Sequence, residues 1–125
     1  MTPASYHAID PWALWDVAAG DLDVFRTLAW IYLQQAPLLA QRIRESRAHY
    51  AAAEIYSASH TLKGMAGLLG ATELCSVLEQ LELAAKANLP LPAAADRVDD
   101  LCARVLSEVE TCSEQFDGIR PREAP

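Results

Sequence analysis

The chain has 125 residues, about half of them apolar, which is enough for one compact core and too few for a second of similar size. Ten Lys and Arg against seventeen Asp and Glu give a formal charge of -7 with no basic cluster, which argues against nucleic-acid binding. No run approaches the roughly 20 uncharged apolar residues of a membrane-spanning helix, and Met1 to Ser5 lack a basic, then apolar leader, so a cytoplasmic protein without membrane insertion is expected.

Asp10-Pro11 reads as an N-cap followed by proline at the first helical position, opening a short helix with Trp12, Leu14, Trp15 and Val17 that Gly20 closes. Asp21 caps a second helix, which carries Phe25, Leu28, Ala29, Tyr32, Ala36, Leu39 and Ile43 at three- and four-residue spacing and finishes in the basic stretch from Arg42 to Arg47. Pro37 predicts a kink near residues 33 to 37 rather than two helices. A third helix is expected from about His49 to Leu69, with Gly70 as its stop and Thr72 capping a fourth that uses Leu74, Val77, Leu78, Leu81 and Ala85.

Asn88-Leu89-Pro90-Leu91-Pro92 ends the fourth helix, because two prolines so close cannot lie in a helix interior. The last helix puts Ala94, Val98, Leu101, Val105, Val109, Cys112 and Phe116 on one stripe. The predicted fold is therefore all-α: an antiparallel four-helix bundle with an additional short N-terminal helix laid across it. Residues 1–117 form its single domain, and 118–125, with two prolines and no apolar period, form a flexible tail or linker. Cys75, Cys102 and Cys112 are an odd set without a Cys-x-x-Cys pair, so they read as buried or half-buried thiols rather than disulfides or zinc ligands.

On a wheel of about 100° per residue, the third helix gathers Ile55, Ala58, Leu62, Met65, Ala66 and Leu69 at one pole. His60 stands at the other, surrounded by Ala53, Tyr56, Ser57, Lys63, Gly64, Gly67 and Ala71. A lone outward histidine is ordinarily just a surface residue. Here two glycines, each costing a helix about 1 kcal/mol against alanine, share its face away from the core, which leaves close approach by another molecule as the reason for them. Lys63, three residues on, can set an ammonium beside anything attached to the His60 ring. Neutral imidazole is a nucleophile near physiological pH, and a phosphoryl group fits both the ring and the cation.

The run His60-Thr61-Leu62-Lys63-Gly64, then Gly67, Gly70-Ala71 and Leu81-Glu82, resembles the signature of histidine-containing phosphotransfer domains. Gly20-Asp21-Leu22 through Phe25 resembles the start of that family's first bundle helix, so the likeness spans roughly residues 10 to 115. The resemblance implies that His60 accepts a phosphoryl group from a receiver-domain aspartate and passes it to another response regulator in a bacterial-type phosphorelay. Lys63 would then stabilise charge and Gly64 clear room for the receiver, with Tyr56, Ser57, Gly67 and Leu68 completing the docking surface. Cofactors of its own are not implied, since the Mg2+ belongs to the partner, and the expected protein is a monomeric carrier without kinase activity.

Met65, Ala66 and Leu68 depart from the family pattern, which often has small polar residues after the Lys-Gly pair and a polar residue two before Gly70. The first two fall on the core side and alter packing, whereas Leu68 lies beside the active face and bears on which receiver docks. Two other functions stay open: the dimerisation and phosphoacceptor segment of a sensor kinase, which usually resembles Ser-His-Glu with a proline soon after, and a helical binding module that is never phosphorylated. Whether the domain stands alone or ends a hybrid kinase is open too.

Elsewhere the ordinary interpretation holds. His7 and His49, at a terminus and a helix start, are expected at the surface, Trp12, Trp15 and Trp30 are expected to cover the core, and Glu73, Glu79 and Glu82 are expected on a solvated helix face. The glycines follow no strand, so no phosphate loop for ATP is present.

Overall fold

The computed structural model describes residues 6–117, with side chains up to Gln115; the tail at 118–125 and the placing of Phe116 on the last stripe lie outside the described residues. Five α-helices follow one another: α1 (Pro11–Val17), α2 (Leu22–Ala48), α3 (Ala52–Leu68), α4 (Thr72–Lys86) and α5 (Val98–Asp117), the last entered through a 3-10 turn at Ala93–Arg97. Local chemistry sets the first two starts. Asp10 accepts the Trp12 N–H at 3.1 Å ahead of Pro11, and Asp21 accepts the N–H groups of Asp23 at 2.9 Å and Val24 at 3.2 Å. Caps of this kind contribute about 1 kcal/mol each.

The helix α2 runs unbroken through Pro37. Proline there removes the N–H that would bond the Leu33 carbonyl, and since Pro37 is exposed, water can serve that oxygen. At the next junction the expected boundary moves by three residues. His49 closes α2 instead of opening α3, and Tyr50 takes a left-handed φ of 46° that a helix cannot continue, its hydroxyl donating to the Leu89 carbonyl. Thr72 does not cap α4; it is the first helical residue, and the N-cap is Ala71, which has no side-chain acceptor. Both α3 and α4 thus begin without side-chain caps, so their stability rests on packing.

The short links at 49–51 and 69–71 force α2, α3 and α4 to alternate in direction. Opposed ion pairs show the same for α5 on α2, where Arg47 meets Asp96 at 2.9 Å and Arg44 meets Asp99 at 3.5 Å. Each long helix packs on two others, closing the ring α2–α3–α4–α5, and α1 lies on α2 and α3. The core is continuous through the ring: Phe25, Ile43, Ile55, Leu62, Leu74, Leu78, Leu81, Leu101 and Val109 are buried. On the last stripe the first buried residue is Ala95 rather than Ala94, because the tighter 3-10 turn rotates the face. Cys102 and Cys112 are buried, free and pushed up to about 11 and about 12 by burial, while Cys75 is half-buried.

Trp15 is buried against Phe25, with ring centroids 5.6 Å apart, and Trp12 is half-buried, but Trp30 is 61% exposed and covers no core. Two residues before buried Tyr32, it points some 200° away on the wheel. The segment before α1 is clasped to α5. The Glu108 carboxylate accepts the N–H groups of His7, Ala8 and Ile9 at 2.9–3.1 Å, and the Tyr6 hydroxyl donates to Gln115.

The clasp continues at the α3–α4 turn, where the Asp10 N–H donates to the Leu69 carbonyl at 2.8 Å. Gly70 makes that approach possible. Its φ is +65°, and a Cβ there would stand 2.9 Å from the Asp10 Cβ and 3.3 Å from that of Ala13. Gly70→Ala is expected to lower stability by about 1–3 kcal/mol through combined backbone strain and overlap, read as a fall in the urea midpoint. An unchanged midpoint would show that the N-terminal segment is not seated on this turn.

Candidate functional site

The face of α3 opposite the core is built around His60. Ile55, Ala58, Leu62, Ala66 and Leu69 are buried as the wheel predicts, Met65 is half-buried, and Ala53, Ser57, His60, Gly64 and Gly67 are exposed. Ala71, grouped with His60 on the wheel, is buried, because the chain leaves the helix at Leu69 and Gly70 turns it inward. Ser59 is buried as well, and its hydroxyl has no hydrogen-bond partner among the described residues.

The His60 side chain is 62% exposed, yet its ring is fixed on two sides. Tyr56, one turn earlier, stacks parallel to it with centroids 5.9 Å apart and planes inclined by 4°. From α4, the Glu82 Oε1 lies 2.8 Å from the ring Nδ1. The other carboxylate oxygen of Glu82 accepts from the Lys63 ammonium at 3.0 Å, and Glu79 stands 3.9 Å from the same ammonium.

Glu82 thus departs from the expectation of a solvated face: it is buried, while Glu73 and Glu79 are exposed and Glu73 pairs with Arg97. Among the described residues it is the site group that pattern reasoning missed. A carboxylate is buried only when paired, and here a turn of α3 supplies both partners. The one available signal was the pair Leu81-Glu82 within the family-like motif.

Burial alone would push the Glu82 carboxyl up, but the hydrogen bonds from Lys63 and His60 outweigh it and hold it below its ordinary 4.5. The Glu82 bond likewise holds the Lys63 ammonium above its usual range, against a smaller effect of burial. Glu82 is therefore ionised at neutral pH and can only accept. The proton of the 2.8 Å bond accordingly belongs to Nδ1, which leaves the lone pair of a neutral ring on Nε2. No described residue bonds Nε2, so the nucleophilic nitrogen faces outward.

The glycines leave that face open. Among the described residues a Cβ at Gly64 or Gly67 would meet nothing within 4 Å, so no contact there requires either glycine. Leu68, 42% exposed, and Ile31, 40% exposed, border an apolar recess between α2 and α3 further along the same helix. His7 and His49 are exposed and outside this arrangement.

Two measurements probe the site as a structure. Gly64→Ala is expected to raise stability by roughly 0.5–1 kcal/mol in urea denaturation, because the helix gains and nothing clashes; a loss would reveal a hidden contact. The lowered Glu82 carboxyl contributes in full above the ordinary carboxylate range and loses that contribution as pH falls through its folded-state value. Between about pH 5 and pH 3 the urea midpoint of the wild type should therefore fall more steeply than that of Glu82→Gln. Parallel pH profiles would show that Glu82 is not held ionised by His60 and Lys63.

Residues 27–116 match the family model described as Hpt domain, from the second turn of α2 into the last turn of α5. The matched span contains His60, Lys63, Gly64, Gly67 and Glu82, whereas α1 and the segment from Gly20 to Phe25 precede it. Searches of curated proteins and of solved structures returned no match. The match covers well over half of the chain and coincides with the helical ring that presents His60, so the chain belongs to the Hpt domain family.

Proposed function

We propose that this domain is a phosphohistidine carrier in which Nε2 of His60 takes a phosphoryl group from a receiver-domain aspartate and hands it to the aspartate of another receiver. The observation that carries this is the outward Nε2 of a ring fixed by Glu82 and Tyr56, beside two glycines that no internal contact requires. In the forward step the P–O bond of the aspartyl phosphate breaks as the N–P bond forms, leaving a free carboxylate; the return step reverses both. The Mg2+ that neutralises the phosphoryl oxygens belongs to the receiver.

Lys63 has a more constrained role than an ammonium poised for phosphate. Its Nζ is committed to Glu82 and Glu79, so it stabilises phosphoryl oxygens only by sharing or exchanging those bonds. Gly64 and Gly67 provide the clearance for a folded partner, Tyr56 and Ser57 form the near rim, and Leu68 with its apolar recess forms the far one. An apolar element of the receiver would gain buried area there, which makes Leu68 a determinant of partner choice. The carrier would act in the cytoplasm as a monomer, drawing its phosphoryl groups from a hybrid or separate kinase.

Incubating the chain with a radiolabelled phospho-receiver should transfer label to it, and His60→Gln should abolish the transfer. Undiminished label on His60→Gln would end the assignment. Gly64→Gln should slow transfer by about tenfold or more, since displacing reacting groups by even 1 Å can cost on the order of a hundredfold, while circular dichroism stays unchanged. An unaltered rate would refute the clearance role of Gly64.

A further inference from the structure

The lone pair of a neutral imidazole nitrogen lies in the plane of the ring, so the plane of His60 decides the line along which Nε2 can meet phosphorus. Intrinsic preference does not set that plane, because a torsion between an sp3 carbon and a flat ring is broad. The bond from Nδ1 to Glu82 holds one point of the ring, and a hydrogen bond keeps most of its strength through roughly 30° of misalignment. With that bond alone, the ring would still tilt about its Cβ–Cγ axis.

Tyr56 supplies the missing restraint. It lies one turn before His60, and a helical side chain leans back over the turn that precedes it, which brings the imidazole to the phenol. The two planes are inclined by only 4° with centroids 5.9 Å apart, an offset parallel arrangement. Tyr56 is half-buried and packs on the hydrophobic core, so its own plane is set by the bundle. Ser57, the other neighbour on the preceding turn, is exposed and has no flat face to impose. The Tyr56 hydroxyl bonds to no described residue, which leaves the face of the ring as what this side chain offers.

We propose that Tyr56 is a positioning residue that sets the plane of the His60 imidazole, and with it the axis along which the phosphoryl group enters and leaves. In the loading step the in-plane lone pair of Nε2 forms the N–P bond, and the ring takes the positive charge. On the opposite side of phosphorus the P–O bond of the aspartyl phosphate breaks, and its electron pair returns to the carboxylate. The return step runs along the same axis. A docked receiver holds its aspartate in one place, so the two directions agree only when the ring plane is already correct. A small free donor is not held, and it approaches along whatever line the lone pair offers. This inference rests on the phosphocarrier assignment and adds to it the residue that aligns the imidazole with a docked donor.

Single-turnover transfer from a radiolabelled phospho-receiver to the full-length chain separates the rate at saturation from the half-saturating concentration. Tyr56→Leu keeps apolar bulk and loses the flat face. Its rate at saturating receiver should fall about tenfold while its half-saturating concentration stays within about twofold of the wild type, and Tyr56→Phe should recover the lost rate. Phosphoramidate should load the Tyr56→Leu chain about as fast as the wild type.

An unchanged rate at saturation in Tyr56→Leu would overturn the proposal. So would a change confined to the half-saturating concentration, which makes Tyr56 a docking contact only. Equal slowing by Leu and Phe assigns the effect to the hydroxyl, and equal slowing with phosphoramidate assigns it to the reactivity of the nitrogen; either result ends the proposal. Independently of any variant, 13C relaxation of the His60 ring in the wild type should report a fixed plane, and wide tilting on the ps–ns scale would refute the restraint. If phospho-receiver and phosphoramidate both leave His60 unlabelled, the carrier assignment falls and this inference with it; if His60 is labelled and Tyr56→Leu transfers as the wild type does, only the role of Tyr56 falls.

Discussion

A carboxylate removed from water needs a partner for each oxygen, and that requirement at Glu82 fixes the register of α3 against α4. One oxygen takes His60 and the other takes Lys63, three residues on, so a slide of either helix by a single residue would strand a buried charge. The apolar packing of α3 on α4 is far less particular, because a Leu or Val shifted by one turn still finds apolar neighbours. Packing joins the helices, and the carboxylate tells them where to stop. The aim of the imidazole follows from it, and so does the outward position of Nε2.

How much of this could be read in the sequence depends on the range of the interaction concerned. Asp10-Pro11 and Asp21 marked their helix starts correctly because capping is settled within three or four residues. The wheel placed Ile55, Ala58, Leu62, Ala66 and His60 correctly because helical periodicity is also local. The apolar spacing starts α3 too early, because the left-handed turn at Tyr50 is supported by a hydroxyl bond to Leu89, thirty-nine residues away, which no local pattern announces. Ala71 was misplaced for a related reason, since a wheel cannot be carried past the glycine that ends the helix.

Glu82 and Trp30 mark the two ways in which residue type misleads. Charge type assigns Glu82 to solvent, yet it lies one residue beyond the buried Leu81, where a helix face can be closed by whatever packs across it. Apolar type assigns Trp30 to the core, yet its place beside Ala29 points it outward. Angular position decided the outcome for Trp30, and for Glu82 it did so together with the two partners that α3 supplies. Helical spacing served better for the buried free thiols, because Cys102 and Cys112 lie on the same stripe as Val98, Val105 and Val109.

The clasp between the segment before α1 and the helix α5 bears on how the chain acquires its structure. Most helix pairs in this bundle join neighbours in sequence, which favours rapid assembly. The bonds from His7, Ala8 and Ile9 to Glu108 instead bring together residues about a hundred positions apart. Closing so long a loop costs entropy that only a largely formed bundle can offset. The first of these groups to leave a ribosome thus waits for among the last, and the α3 face with its imidazole can be assembled before the ends of the domain meet.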